Sequence, residues 1–362
     1  MGYYGESSSP VDERFVELLI TRLHVDVNHA GRANQWTALH YAALACNEQL
    51  MHLLLARYGA NPNILTNELW SPIYFVLRFG CIAPESLRVS LLNLLIEKGA
   101  NLFLRTNKGW SCLHMAVQSE DEESLRVLFE ALSTARPSMP TYEDEEGQDN
   151  KPHLINIKDN KGWSPLCLSL QRGYNNITRI LIENGADVEF LHPSRRRNDR
   201  NNHNNNHTQQ RTRQSSPLRV AVHKGLNEVV MLLLGGGADV NRQDNEGGGL
   251  TPVHCAIKAG HNTTLSMLLQ HNANPHLHTK REWTPSHLAA KLNNREALSI
   301  LLQHGADLIA TTSNGNTPLS VAVQNNAVEC VEFLLSQQGI ASHSLAIPLA
   351  NTLWRPLHSA GT

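Results

Sequence analysis

One short pattern recurs along almost the whole chain. Residues 107–114 read NKGWSCLH, and residues 160–167 read NKGWSPLC. Related runs place a Thr, Ser or Arg before an apolar stretch, with that residue at positions 37, 71, 111, 164, 216, 251, 284, 317 and 355. The shortest steps between these positions are about 33 residues, the length of one turn and two helices. Such a repeat constrains the fold more than composition does, because each unit must bury its apolar face against its neighbours.

A second pattern alternates with the first. The runs LLIEKGANL (94–102), ILIENGADV (180–188) and LLQHGADL (301–308) each place apolar residues at helical spacing before a Gly. This spacing predicts the second helix of a repeat, and the Gly predicts the left-handed residue that ends it. In the first pattern, Ser or Thr followed by Pro predicts an N-cap and the first residue of a helix.

The two motifs, alternating in this order, resemble the ankyrin repeat family from about residue 12 to residue 360. The resemblance implies an all-α solenoid of helix-turn-helix units joined by β-hairpin-like turns. We expect about eight full repeats within 12–362, with partial repeats at both ends, so that the chain is either a fragment or isoform of something longer or frays at its ends. The resemblance also implies a structural hydrogen-bonding role for the fourth-position histidines His40, His114, His254, His287 and His358.

The last third is also similar to endosomal ankyrin proteins that carry a C-terminal phosphoinositide-binding zinc finger. The runs HTKREWTPSHLAA (278–290) and GADLIATTSNGNTPLSVAV (305–323) carry this second resemblance. This sequence contains neither that zinc finger nor an N-terminal BTB domain.

Three segments depart from the repeat pattern. We expect residues 1–11 to be a disordered N-terminus, 133–153 an acidic disordered insert, and 191–214 a basic, Asn-rich disordered insert. The basic insert either forms a solvated loop, or binds nucleic acid or acts as a nuclear signal, or closes onto the acidic insert. Its candidate residues are Arg195, Arg196, Arg197, Arg200, Arg211 and Arg213.

Tryptophan has an unusual distribution. All six tryptophans stand directly before the Thr, Ser or Arg of the first motif, including Trp354. Each ring either packs on a neighbouring turn or contacts a partner, because an exposed Trp is a typical interface anchor. The candidate partner-binding residues are Trp36, Trp70, Trp110, Trp163 and Trp283, with Lys108, Lys161, Lys280 and Arg281 on the same turns. The resemblance further implies that Asn28, Asn63 and Asn241 can be hydroxylated.

The remaining sequence argues against catalysis. The chain has no Gly-x-Ser-x-Gly, HExxH or P-loop run, and its six cysteines form no CxxC pair. His203 and His207 have zinc-like spacing but no third ligand nearby, so we expect no metal and no cofactor. A net charge of −2 gives no global attraction to nucleic acid. The sequence contains no stretch of 18 apolar residues, so it predicts no membrane span.

These features favour a cytoplasmic, non-catalytic scaffold or adaptor that binds a protein partner through its concave surface. A location in the nucleus or at the periphery of endosomes stays open. Nucleic-acid binding is not favoured, and no small-molecule substrate is indicated. The alternatives are nucleic-acid or nuclear association through 191–214, and a regulatory ankyrin segment of a larger enzyme or channel.

Overall fold

The computed structural model describes residues 16–80, 83–134, 154–189, 192–194, 213–243 and 248–337. The chain divides into two compact units, Met1–Ala186 and Asp187–Thr362. The described residues of each unit contain four pairs of helices, which we number repeats 1 to 8 along the chain. The pairs lie within residues 38–57, 72–97, 112–134, 165–183, 217–235, 252–270, 285–303 and 318–336.

The described part of the first unit contains one π-helical turn, followed by repeats 1 to 4. Its helices are Leu18–Arg22, Ala38–Leu44, Glu48–His52, the π-helical continuation Leu53–Arg57, Pro72–Phe79, Glu85–Glu97, Cys112–Gln118, Glu122–Thr134, the 3₁₀ turn Leu154–Asn156, Pro165–Arg172 and Asn175–Glu183. The first helices of repeats 1 to 4 pack against one another in chain order, and so do the second helices. Segments that start at 37, 71, 111 and 164 therefore stand side by side, as the repeat predicts.

The second unit contains repeats 5 to 8 and a short strand pair. Its helices are Pro217–Lys224, Asn227–Gly235, Pro252–Ala259, Asn262–Gln270, Pro285–Lys291, Arg295–Gln303, Pro318–Gln324 and Val328–Ser336. Strand β1 (His192–Ser194) pairs antiparallel with strand β2 (Arg213–Ser215). Neighbouring first helices again pack on each other in order. Both units therefore have the stacked helix pairs of an all-α ankyrin solenoid.

The predicted helix starts and stops are confirmed. In repeat 4, the Ser164 hydroxyl accepts the Cys167 amide, and Pro165 occupies the first helical turn. The N-caps of the first helices are Thr37, Ser71, Ser111, Ser164, Ser216, Thr251, Thr284 and Thr317. The second helix of repeat 4 ends before Gly185, whose φ of 87° places it in the left-handed region. These signals act locally, so sequence alone locates them.

Within each unit, the core lies between the two helices of each repeat and between adjacent repeats. Small first-helix residues such as Ala42 and Ala43 are fully buried, as are second-helix leucines such as Leu91, Leu92 and Leu95. Burying one leucine side chain contributes about 1.5–3 kcal/mol, and no single repeat encloses its own leucines. The stack is therefore the smallest arrangement that keeps these side chains out of water.

The structure describes only the edges of the two predicted inserts. Residues 133 and 134 belong to the helix Glu122–Thr134, and residues 192–194 pair with residues 213–215 as short strands. The bounds of both inserts stay a prediction. Residues 1–11, 135–153 and the remainder of 191–214 lie outside the described residues, and their disorder stays a prediction.

Candidate partner-binding surface on the turns

Several turns before the first helices share one hydrogen-bonded geometry. In the turn 106–111, the Thr106 amide donates to the Trp110 carbonyl at 3.0 Å, and the Trp110 amide donates to the Thr106 hydroxyl at 3.1 Å. The turns that end at Trp70 and Trp283 repeat both bonds through a Thr four residues earlier. This pairing makes each turn a short hairpin that presents its tip to solvent.

Asp159 takes the place of Thr in the turn of repeat 4. Its amide donates to the Trp163 carbonyl at 2.8 Å, and its carboxylate accepts the amides of Lys161 and Trp163 at 2.8 and 2.9 Å. The same carboxylate accepts the indole N–H of Trp110 at 3.1 Å. One buried carboxylate thus joins two consecutive turns of the first unit.

Adjacent turns are also tied through their backbones. The amides of Asn67, Asn107 and Asn160 each donate to a carbonyl of the preceding turn, at 3.0–3.2 Å. The side-chain amide of Asn160 adds a bond to the Asn107 carbonyl at 2.9 Å. In the second unit, the Lys280 amide donates to the Gly248 carbonyl at 2.7 Å. Each of these turns therefore has its position fixed by its neighbour as well as by its own repeat.

Buried histidines connect four of the first helices to the following turn. Nδ1 of His114 faces the Ser111 amide and hydroxyl at 3.2 and 2.8 Å, and Nε2 lies 2.9 Å from the Trp163 carbonyl. Because Nδ1 accepts the backbone N–H, Nε2 must carry the proton and donate it. His40, His254 and His287 repeat this arrangement. The structural role that the resemblance implies is confirmed for these four; His358 lies outside the described residues.

Tyr74 occupies the histidine position in repeat 2. Its hydroxyl lies 2.5 Å from the Leu104 carbonyl and 3.2 Å from the Trp110 carbonyl. The tyrosine side chain thus reaches the carbonyl of the next turn, as histidine does in other repeats. Unlike histidine, it makes no hydrogen bond to the N-cap residue of its own helix. The hydroxyl of that N-cap, Ser71, accordingly lacks a hydrogen-bond partner.

The histidine network holds its imidazoles neutral. Burial lowers the pKa of His254 from 6.5 to about 4, and the hydrogen bond to the Trp283 backbone opposes this only partly. Burial also lowers the pKa of His40, His114 and His287. These groups are suited to positioning backbone rather than to proton transfer near neutral pH.

The tryptophan rings are half-buried and contact neighbouring side chains. The Trp36 ring lies 4.8 Å from Phe75 and 5.1 Å from Tyr41, and the Trp70 ring lies 5.7 Å from Phe75. Phe75 is fully buried, whereas Tyr41 is 53 % exposed. The first two rings therefore extend the core outward to an aromatic surface on repeats 1 and 2.

The other described tryptophans find different partners. Trp110 stacks on His114 at 6.5 Å, and Trp283 lies 6.1 Å from His287. The ammonium of Lys291 lies 5.2 Å from the centre of the Trp283 ring. Trp163 is likewise half-buried. Every described tryptophan thus keeps part of its surface accessible while it packs within its turn, and Trp354 lies outside the described residues.

The predicted cations lie at the tips of these turns. Lys108, Lys161, Lys280 and Arg281 are all exposed. The structure brings Lys108 and Lys161 onto consecutive turns of the first unit, where the Lys108 carbonyl accepts the Asn160 amide. Lys280 and Arg281 share one turn of the second unit. Their backbones are fixed, so their side chains project from a defined base.

The three candidate asparagines lie at the opposite junction, between the second helix and the next turn. The Asn63 side chain accepts the Asn101 amide at 2.7 Å and donates to the Gly99 carbonyl at 2.9 Å. Asn28 and Asn241 accept the amides of Asn61 and Asn274 at 2.8 Å. These asparagines join successive repeats, and their hydroxylation stays a prediction.

Sequence reasoning missed several residues that build this surface. Asp159 and Tyr74 replace the usual Thr and His, so neither follows the motif by which the others are found. Lys258 and Lys291 lie in the last turn of their first helices. Aligning the repeats on their N-caps would have predicted that these positions are exposed. A comparison of equivalent positions across repeats was the signal that could have found these lysines.

Other predicted sites fall outside what the structure describes. Of the six basic-insert arginines, only Arg213 has a described backbone, in β2. His203 and His207 are not described. Within the described ranges, no group of three or more His, Cys, Asp or Glu side chains is arranged to hold a metal ion. None of the helices in those ranges is both long enough and apolar enough to cross a bilayer.

Comparison with known proteins agrees with this geometry. A family model described as "Ankyrin repeats (3 copies)" matches residues 83–191, 188–279 and 267–345, and a model described as "Ankyrin repeat" matches 34–67. The chain is 26 % identical to human transient receptor potential cation channel subfamily A member 1 over 251 residues, which are 69 % of this chain and 19 % of that protein. It is 23 % identical to the putative E3 ubiquitin-protein ligase XBAT31 of Arabidopsis thaliana over 164 residues, 45 % of this chain and 32 % of that protein.

Another relative has a higher sequence identity to this chain over a shorter segment. The chain is 46 % identical to mouse Rabankyrin-5 over 56 residues, which are 16 % of this chain and 5 % of that protein. The chain thus spans about a third or less of the length of these relatives. Since the family models cover most of the chain and the helix pairs stack as described, the chain belongs to the ankyrin repeat family.

Proposed function

We propose that this chain is a non-catalytic adaptor that holds a protein partner on its turns and first helices. Ankyrin repeats generally mediate protein–protein interactions and are generally not catalytic. The observation that carries the proposal is the combination of a fixed turn backbone with exposed cations and partly exposed indoles at the tips. Such a surface binds without first having to order itself, which lowers the entropic cost of association.

The first unit offers the clearest contact site. Lys108 and Lys161 project from adjacent turns whose backbones are hydrogen-bonded to each other, and the half-buried Trp110 and Trp163 follow them. Tryptophan edges framed by polar groups are typical of the residues that dominate interface energies. The indoles pack and can contact a partner at the same time, because only part of each ring is covered.

Charge reversal of the two lysines tests this proposal. The chain carrying Lys108→Glu and Lys161→Glu should lose most of a partner that the wild-type chain retains from a cell extract. Both side chains are exposed, so folding should not change. Arg179→Glu is the matched control, because Arg179 is exposed on a second helix.

Two results would separate the alternatives. Loss of the partner with the turn variant alone, at an unchanged melting temperature, supports the proposal. Equal retention by the wild-type chain, the turn variant and the control contradicts it. The measurement is quantitative recovery of each retained protein by mass spectrometry.

A second candidate function is favoured by the small share of each relative that this chain matches. The portion similar to this chain makes up 19 % of a cation channel and 32 % of a putative ubiquitin ligase. The same surface would then act as a regulatory segment of a larger protein. Nuclear or nucleic-acid association through 191–214 and a cytoplasmic location remain predictions, to be tested by arginine substitution and by imaging of the tagged chain.

A further inference from the structure

The charges of the second unit are separated by face. The four first helices of repeats 5 to 8 contain Arg219, Lys224, Lys258 and Lys291 but no Asp or Glu. The four second helices carry Glu228, Glu296, Glu329 and Glu332, with Arg295 as the one basic residue. Lysine and arginine are therefore the only residues of fixed charge in the first helices of this unit, although the chain as a whole carries a net charge of −2.

Three lysines form a row along this surface, which we call the lysine row: Lys224, Lys258 and Lys291. Each lies in the last turn of its first helix and is exposed. Consecutive first helices pack together, with axes about 10 Å apart. Lys258 and Lys291 stand seven residues after their N-caps Thr251 and Thr284, and Lys224 stands one residue further from its N-cap Ser216. The contact between Lys291 and the Trp283 ring shows that the row borders the turn that carries Lys280 and Arg281.

The helix dipole does not explain this placement. A cation in the last turn of a helix is stabilised by about 0.3–1 kcal/mol through the partial negative charge of that end. The second helices of the same repeats have the same dipole, yet none has a basic residue in its last turn. The dipole alone therefore does not distinguish the first-helix side from the second-helix side.

Resting on the proposed function, we propose that the lysine row, together with Lys280 and Arg281, binds an extended acidic segment of a partner protein. A polyproline II segment advances about 3.1 Å per residue with three residues per turn, so every third carboxylate lies on one side, about 9 Å from the next, and would meet successive lysines. Ammonium groups on flexible stems suit such contacts, because each acts as a point charge without a fixed geometry.

A nucleic acid fits the same surface less well. Proteins that bind single strands combine cations with aromatic rings on which the bases stack. In the described part of the second unit, the exposed large apolar residues are Met231, Leu292, Leu302, Val323, Val328 and Leu335, none of them aromatic. Trp283 is half-buried, and Lys291 lies over its ring. The surface offers charge without a stacking platform.

The test uses the full chain and a fluorescein-labelled peptide of five Glu-Ser-Gly units, followed by fluorescence anisotropy. We expect the peptide to bind at low salt and to dissociate as salt approaches about 0.5 M. The double substitution Lys258→Gln and Lys291→Gln should weaken binding about fivefold or more. Arg295→Gln removes the same kind of charge from the second-helix face and should leave binding unchanged.

Three results would overturn the inference. The peptide could fail to bind the wild-type chain, Arg295→Gln could weaken it as much as the lysine double variant, or a labelled oligouridine could bind more tightly with the same lysine dependence. The proposed function is tested separately by Lys108 and Lys161. A partner lost from their charge-reversed variant but retained by the lysine-row variant would contradict only the acidic-segment inference.

Discussion

Acidification should destabilise the second unit through His254. This side chain is fully buried, accepts the Thr251 amide through Nδ1 and donates from Nε2 to the Trp283 carbonyl at 3.0 Å. A second proton would place an N–H at Nδ1 against the Thr251 N–H. Burial also removes water from the charged imidazolium, and it lowers the pKa of His254 from 6.5 to about 4.

The size of the effect follows from that difference. The folded-state pKa lies below the unfolded value, so the unfolded chain binds more protons and stability falls as the pH falls from 6.5 towards 4. At pH 5 the loss from His254 alone is about 2 kcal/mol, and below pH 4 it approaches about 3 kcal/mol. Above pH 6.5, the neutral imidazole makes its full contribution to the free energy of unfolding.

The assay compares the wild-type chain with His254→Gln. A glutamine offers both an acceptor and a donor but does not titrate, so the variant should lose about 2 kcal/mol less than the wild type between pH 7.5 and pH 5. Urea unfolding followed by circular dichroism measures the difference, and a proton NMR titration should place the pKa of His254 near 4. Identical pH dependence in the two chains, or a pKa of His254 near 6.5, would refute the reasoning.

Three further predictions concern the first unit, each measured by urea unfolding at pH 7.5. Asp159→Ala removes the acceptor of three N–H groups and should destabilise by about 1–3 kcal/mol, whereas Asp159→Asn should lose less; equal losses would show that the acceptor does not matter. Arg88→Ala leaves the buried carboxylate of Asp121 without its ion-pair partner and should cost about 3–5 kcal/mol, and a loss under 1 kcal/mol would contradict this. Gly109→Ala should destabilise more than Gly185→Ala, because a Cβ at position 109 would lie 2.8 Å from a backbone nitrogen, whereas position 185 has no atom within 4 Å; similar losses would contradict the crowding.

Much of the fold could be predicted because its determinants are local and repeated. A Ser or Thr cap, the following Pro and the closing Gly each act within a few residues, and each occurs in several repeats. The histidine role was predictable through the family resemblance, and the structure confirms it for His40, His114, His254 and His287. The order of packing follows because each repeat can bury its leucines only against the next.

The candidate site was less predictable because its parts come from different repeats. Asp159 receives the indole N–H of Trp110 across an insert, and no local pattern links these two residues. Tyr74 donates to the Trp110 carbonyl, as histidine in other repeats donates to the carbonyl of the following turn. Both side chains carry a donor that reaches this carbonyl. The strand pair at 192–194 and 213–215 depends on backbone hydrogen bonds, which leave little trace in side-chain identity. The charge separation of the second unit becomes visible only when its helices are assigned to faces.

Site-specific photo-crosslinking tests the central claim most directly. A photoreactive amino acid in place of Lys108 or Lys161 lies at a turn tip, and one in place of Arg179 lies on the exposed side of a second helix. The account predicts that, in cell extract, a discrete protein is joined to the chain from the two turn positions and not from position 179. Adducts formed from position 179 alone, or equally from all three positions, would contradict it.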